Sequence, residues 1–392
     1  MRNHSSAPPI LQHGFRPFFL LAALWAPASL AIWLLALADG PVPPTALPLI
    51  AWHPHELLFG YAGAVVTGFL LTAVPNWTGR LPVAGALLLA LCVLWLLARL
   101  AGLVGGAVLP LAAVVLDTAF WVVLAAAMGR EVAVGGNWRN LPVIGLVGLL
   151  GIACLLSASE ALGAETGPMG RRLALAVLLV LIGLIGGRVV PSFTRNWLAK
   201  QSAIPLPASF GQIDRVALAL LVAAAALWVA LPESRAAGAM LAVAGLATLV
   251  RLARWRGVAT GAEPLVAVLH LGYAWVGAGL VLHGLGILFP DGPGRLATLH
   301  ALSAGAIGTM TLAIMTRATL GHTGRTLTAD RATVAIYIFV QAGAALRVSA
   351  PVLPAVYAVS LTVAALLWGG AFALYVVRYG PMLLSPRAMG PA

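Results

Sequence analysis

Apolar runs of about 20 residues recur along the whole chain, and short breaks that hold most of the charge separate them. Twelve such runs are read, near residues 18–38, 50–74, 82–102, 104–128, 141–160, 172–191, 214–231, 237–253, 264–289, 297–320, 332–350 and 353–378. Each, wound as a helix, is long enough to cross a hydrocarbon core of about 30 Å. The breaks are too short to hold a soluble domain. The pattern therefore predicts an all-α integral membrane protein of about 12 transmembrane helices, with residues 1–392 as one polytopic membrane domain.

Composition agrees: 61% of the residues are hydrophobic, 9% are charged and mean hydropathy is +1.00, far from a soluble globular domain. The net charge of +12 raises the question of nucleic acid, and its distribution answers it. With the N-terminus inside, 17 of the 23 basic residues fall on inner segments, among them Arg80, Arg139, Arg195, Lys200, Arg254 and Arg256. The outer segments keep Arg99, Arg171, Arg172, Arg235, Arg295 and Arg347. Cationic loops resist translocation, so both termini are expected in the cytoplasm, with the protein in a bacterial inner membrane. The basic excess then faces anionic lipids, and no nucleic-acid partner is needed. The first run is long enough to cross the hydrocarbon core, so it is expected to stay as a span. Cys92 and Cys154 both fall inside runs and read as small buried apolar residues. No protein partner is implied.

The chain also repeats itself. His55, Gly60, Gly63 and Thr78-Gly79-Arg80 recur as His300, Gly305, Gly308 and Thr323-Gly324-Arg325, all at an offset of 245 residues. Pro75-Asn76-Trp77-Thr78 is echoed by Pro191-Ser192-Phe193-Thr194 at an offset of 116. Spans 2, 6 and 10 thus carry related features, which predicts three four-helix units. By analogy this is the plan of the haem–copper oxidase catalytic subunit, although fold analogy does not carry function.

Several blocks resemble the NnrS family: His13-Gly14-Phe15-Arg16-Pro17-Phe18-Phe19, Trp52-His53-Pro54-His55-Glu56 with the residues that follow, and Gly68–Arg80. So do Gly186–Leu198, His270–Trp275 and Met315–Arg325. The resemblance implies a polytopic membrane protein containing haem and copper and linked to nitric oxide and nitrosative stress in denitrifying or pathogenic bacteria. It supplies no reaction, and the residues do not assign one. No P-loop, acyl-transfer triad, zinc-protease motif or GxGxxG loop occurs.

Four histidines share the outer third of the membrane in this topology: His53 and His55 opening span 2, His283 on span 9 and His300 opening span 10. Facing imidazoles on two helices can hold the iron of a b-type haem, so His55 and His300 are the expected axial ligands. Small residues after both, Gly60 and Gly63 on one helix, Gly305 and Gly308 on the other, would admit close packing or a flat macrocycle. His53 and His55 point about 200° apart on a regular helix and cannot share an ion. Pro54 is placed in the first turn, which leaves His53 before it and Glu56 near the helix dipole. For copper, spans 6 and 7 contain no histidine, so an oxidase-type three-histidine site is not expected. His270 and His283, with Met310 or Met315 as soft donors, remain as copper candidates.

On the cytoplasmic side, Arg188 and Arg317 are expected to face inward against haem propionates or another anion, and His13 with His322 could form a second metal site. Arg254 and Arg256 read as an ordinary basic loop. Asp117 falls midway along span 4, with Gln341 and Arg347 as candidate partners. The function expected is a haem- and copper-binding membrane protein that meets nitric oxide or its metal adducts. A secondary transporter of a small molecule or metal complex is the alternative, although spacing by four disfavours the two-half plan of many transporters.

Overall fold

The computed structural model describes residues 7–106, 109–202, 205–290 and 294–388. Among the described residues there is no strand, and twelve helices are long and apolar enough to span a membrane. They are α1 (Phe15–Leu37), α2 (Leu49–Thr78), α3 (Ala86–Val104), α4 (Pro110–Val134), α5 (Trp138–Leu162) and α6 (Gly167–Lys200). Then follow α7 (Gln212–Ala230), α8 (Arg235–Ala253), α9 (Pro264–Leu288), α10 (Leu296–His322), α11 (Arg331–Val352) and α12 (Pro354–Leu384). Each expected run lies on its own helix. Several ends differ, because helical hydrogen bonding continues past the apolar stretch: α6 runs on to Lys200 and α12 to Leu384.

Spans 2, 6 and 10 share a device that hydropathy does not show. Each contains a π-helical turn: Glu56–Ala62 in α2, Ile182–Gly186 in α6 and Ala301–Ile307 in α10. The first and third are 245 residues apart at both ends, the offset of the sequence repeat. A π-turn leaves carbonyls without their usual i+4 donor, and in a membrane these need another partner. Neighbouring side chains provide it. Trp95 Nε1 donates to Gly60 O, Trp368 Nε1 to Ala304 O, and Arg251 Nη1 to Gly183 O, with Tyr273 beside it. The repeated Thr-Gly-Arg also has a physical reading. Gly79 (φ 68°) ends α2 and Gly324 (φ 75°) follows α10, both in the left-handed region that favours glycine at a helix stop.

The contacts fall into two compact units. The first holds α1–α5, the start of α6 and the ends of α10 and α12 at 319–325 and 375–392. Within it α1 packs on α2, α3 on α4 and α4 on α5. Buried Arg16 donates to Leu383 O (2.8 Å) and Ser385 O (2.6 Å), occupying carbonyls at the C-terminal end of α12 that no helical N–H reaches. The second unit holds the rest of α6, α7–α9, most of α10, α11 and most of α12. In it α8 packs against α7 and α9, where Gly238 and Gly245 let helix backbones approach closely.

Candidate metal and cofactor sites

In the first unit, the entrance of α2 differs from the expectation. The helix starts at Leu49, so Pro54 lies inside it, five residues past the first helical residue and two before the π-turn. His53 stacks on Trp33 with ring centroids 4.8 Å apart. His55 turns the other way and is buried, with both ring nitrogens engaged: Nδ1 with Ser157 Oγ at 2.9 Å, Nε2 with Asp117 Oδ2 at 2.6 Å. A carboxylate only accepts, so Nε2 carries the proton toward Asp117 and Nδ1 accepts from the Ser157 hydroxyl.

Asp117 belongs to a larger ionic group. Its other oxygen accepts from Arg99 Nη2, and Arg99 Nη1 donates to Glu56 at 2.6 Å. Trp25 Nε1 adds a bond to the same Glu56 oxygen at 2.8 Å. Two expectations are corrected here. Arg99, counted with the outer segments, lies within α3 and is 2% exposed. Asp117 lies seven residues from the start of α4, because the helix begins at Pro110, and its partners are Arg99 and His55. Gln341 instead bonds Trp275 and Thr309. With His55 neutral, Glu56, Asp117 and Arg99 leave one net negative charge inside the span.

Cys154 joins this group. Its Sγ, one His55 ring nitrogen and one Asp117 oxygen lie within 4.8 Å of one another, so His55, Asp117 and Cys154 form the one three-residue constellation able to hold a metal among the described residues. Cys154 is buried, as expected, and stands beside two further donor atoms. A metal there would displace the proton between His55 and Asp117, while Arg99 stays on the far oxygen. The signal was available: Arg99, Asp117 and Cys154 are polar or soft residues inside apolar runs on three consecutive spans.

The second unit holds His270, His283 and His300. His300 Nδ1 lies 2.7 Å from Leu296 O; a carbonyl cannot donate, so Nδ1 carries the proton and Nε2 keeps its lone pair. That is the state a haem-ligating imidazole requires. His283 Nδ1 bonds Thr298 Oγ1 at 3.0 Å, its ring meets Trp228, and its buried Nε2 has no partner. Thr298 and His300 are two residues apart, on opposite faces of α10, so His283 and His300 do not share an ion. Thr194 gives its hydroxyl proton to Val190 O, so His270 Nε2 donates to Thr194 Oγ1, and buried Nδ1 is left unpartnered beside Gly257. Met310 and Met315 are buried in the same unit.

Haem fits His300 as donor. Both His55 nitrogens are committed to Asp117 and Ser157, so a metal held by His55 would have to displace one of these bonds. The repeat glycines, expected to admit close packing or a macrocycle, are closely packed by indoles: Trp25 lies against Gly60, Trp121 against Gly63, Trp275 against Gly305 and Trp368 against Gly308.

The cytoplasmic expectations divide. Arg188 is exposed, contrary to its expected inward placement. Half-buried Arg317 stacks on the Phe193 ring at 4.0 Å, a cation–π contact that replaces the expected anion. Arg254 is no ordinary loop residue: Asp214 pairs with it at 2.8 Å and with buried Arg251 at 2.9 Å. His13 and His322 both pack against Phe15, with centroids 6.1 and 5.4 Å away.

The model of the NnrS protein family matches residues 9–387 of the 392-residue chain. The chain belongs to the NnrS family. Twelve spans and membership across nearly the whole length make it a multi-pass membrane protein of the NnrS type. No curated protein matches it.

Proposed function

We propose that this NnrS-family chain is a haem-binding protein of the bacterial inner membrane, both termini cytoplasmic, that acts in nitric oxide metabolism or protection against nitrosative stress. The observation that carries the reading is His300. Its Nδ1–H is held by Leu296 O, and Nε2 keeps its lone pair at the outer end of α10, as an axial ligand needs. Bound haem would supply an iron that takes nitric oxide; the protein's part is to orient the imidazole and surround it with apolar helix.

For copper, the reading favours the first unit. The net negative charge of the Glu56–Arg99–Asp117–His55 group suits one monovalent cation, and Cys154 with His55 are the donor types that copper(I) prefers. The same buried charges favour a second reading, a transporter coupled to an ion, because ionisable residues inside a span mark ion pathways.

Absorption spectroscopy separates the two. Detergent-purified protein from a haem-replete host should show a Soret band and b-type bands on reduction, and His300→Ala should remove most of the haem. His55→Ala should keep the haem and lose copper, measured by elemental analysis. A colourless wild type, or full haem content in His300→Ala, would sink the haem reading and leave the transporter.

A further inference from the structure

Arg347 lies in the last turns of α11, in the same unit as His300. Helix α11 packs against the Arg295–His300 segment that opens α10 and against the π-turn that follows it. The half-buried guanidinium lies within electrostatic reach of the His300 imidazole and of Tyr357 at the start of α12. Neither is an anion partner, and Arg347 Nη1 is buried with no hydrogen-bond acceptor.

The fully buried arginines of the spans are better supplied, and half-buried Arg172, whose Nε also lacks an acceptor, lies at the start of α6. Arg99 has two carboxylates, Arg251 has Asp214 with two oxygens beside it, and Arg16 has the carbonyls at the end of α12. A guanidinium in a span is costly unless an acceptor meets it, and its planar fork suits carboxylates and other oxyanions in particular. Arg188 and Arg317, the arginines expected to meet an anion, are respectively solvent-facing and seated on an aromatic ring. An oxyanion carried by a group bound at His300, whose Nδ1 is held by Leu296 O, would supply the acceptor that Arg347 Nη1 lacks.

We propose that Arg347 is the anion-binding residue of the His300 site, holding a carboxylate or other oxyanion of the group bound there. The inference rests on the haem reading of His300 and names a contact beyond it. Two sources share this chemistry: a haem propionate, or a free oxyanion such as nitrite bound next to the iron.

The full-length protein, reconstituted in detergent, distinguishes them. Wild type and Arg347→Gln would be loaded with haem or with haem dimethyl ester, whose propionates carry no charge, and haem loss to excess apomyoglobin would be followed. With propionate as the anion, Arg347→Gln should lose haem about tenfold faster than wild type, and the two should lose the ester at the same rate. Arg347→Lys should restore part of the retention, and Arg331→Gln, at the exposed start of the same helix, should behave as wild type. With a free oxyanion, haem retention should be unchanged, while the nitrite concentration needed to shift the Soret band should rise about tenfold in Arg347→Gln. Equal behaviour of wild type and Arg347→Gln in both arms overturns the proposal. If wild type takes up no haem, the haem reading fails by itself, and calorimetric titration of the haem-free chain with nitrite decides Arg347 alone: heat in wild type absent from Arg347→Gln supports the anion site, and no difference rejects it.

Discussion

Arg99 illustrates what one residue does inside a low-dielectric span. It holds Glu56 and Asp117 at once, and Asp117 in turn holds His55, so four ionisable side chains from three helices form one hydrogen-bonded group. Removing one partner of such a group strands the others without water. Arg99→Leu should therefore lower stability by about 3–5 kcal/mol, read as folded yield and melting temperature in detergent. Asp117→Asn, which keeps the shape and removes one charge, should cost less. Arg256→Leu, on an exposed residue, should stay within about 0.5 kcal/mol of wild type. If Arg99→Leu proved as mild as Arg256→Leu, the network would have no structural weight. The adjacent Arg254, by contrast, shares Asp214 with buried Arg251, and its replacement should be felt.

At the scale of the element, the π-turns in α2, α6 and α10 define this fold more sharply than helix count does. Each widens the helix for one turn, and one of its carbonyls accepts from a side chain on a neighbouring helix. Trp95→Phe keeps the ring and removes the N–H to Gly60; Trp368→Phe does the same to Ala304. Each should cost about 0.5–1.5 kcal/mol, the net worth of one hydrogen bond, measured as a lower melting temperature in detergent. Trp138→Phe, on an exposed indole, should show no such loss. Glycine is required for a separate reason where an indole meets the backbone. A Cβ on Gly63 would lie 2.8 Å from the Trp121 ring, so Gly63→Val should disturb packing that Ala64→Gly would not.

At the scale of the whole molecule, the 17-to-6 distribution of basic residues makes a topological prediction. Cysteines introduced at Asp39 and Ser234 should react with an impermeant thiol reagent on intact cells; those at Arg139 and Arg256 should react only after the membrane is opened. The reverse pattern would put His300 and Arg347 on the cytoplasmic face. Buried Cys92 and Cys154 should not contribute background labelling.

The twelve spans and the family were legible in the chain, because crossing a bilayer demands a long apolar run and such runs survive as local sequence. The offset of 245 residues was legible for the same reason: Gly60, Gly63 and Gly79 answer backbone demands at their own positions, and Gly305, Gly308 and Gly324 answer them again. Partnership was not. Nothing local to Asp117 chooses Arg99 over Arg347, and nothing local to His55 says that Asp117 and Ser157 take both its nitrogens while His300, its repeat equivalent, keeps one. Those choices depend on the rotation of α2, α3, α4 and α5 about their axes and on a π-turn that shifts side-chain direction partway along a helix. Hydropathy is blind to both, since every face of these helices is apolar enough. Tertiary packing therefore decided which histidine has both ring nitrogens bonded by side chains and which bonds a backbone carbonyl through Nδ1.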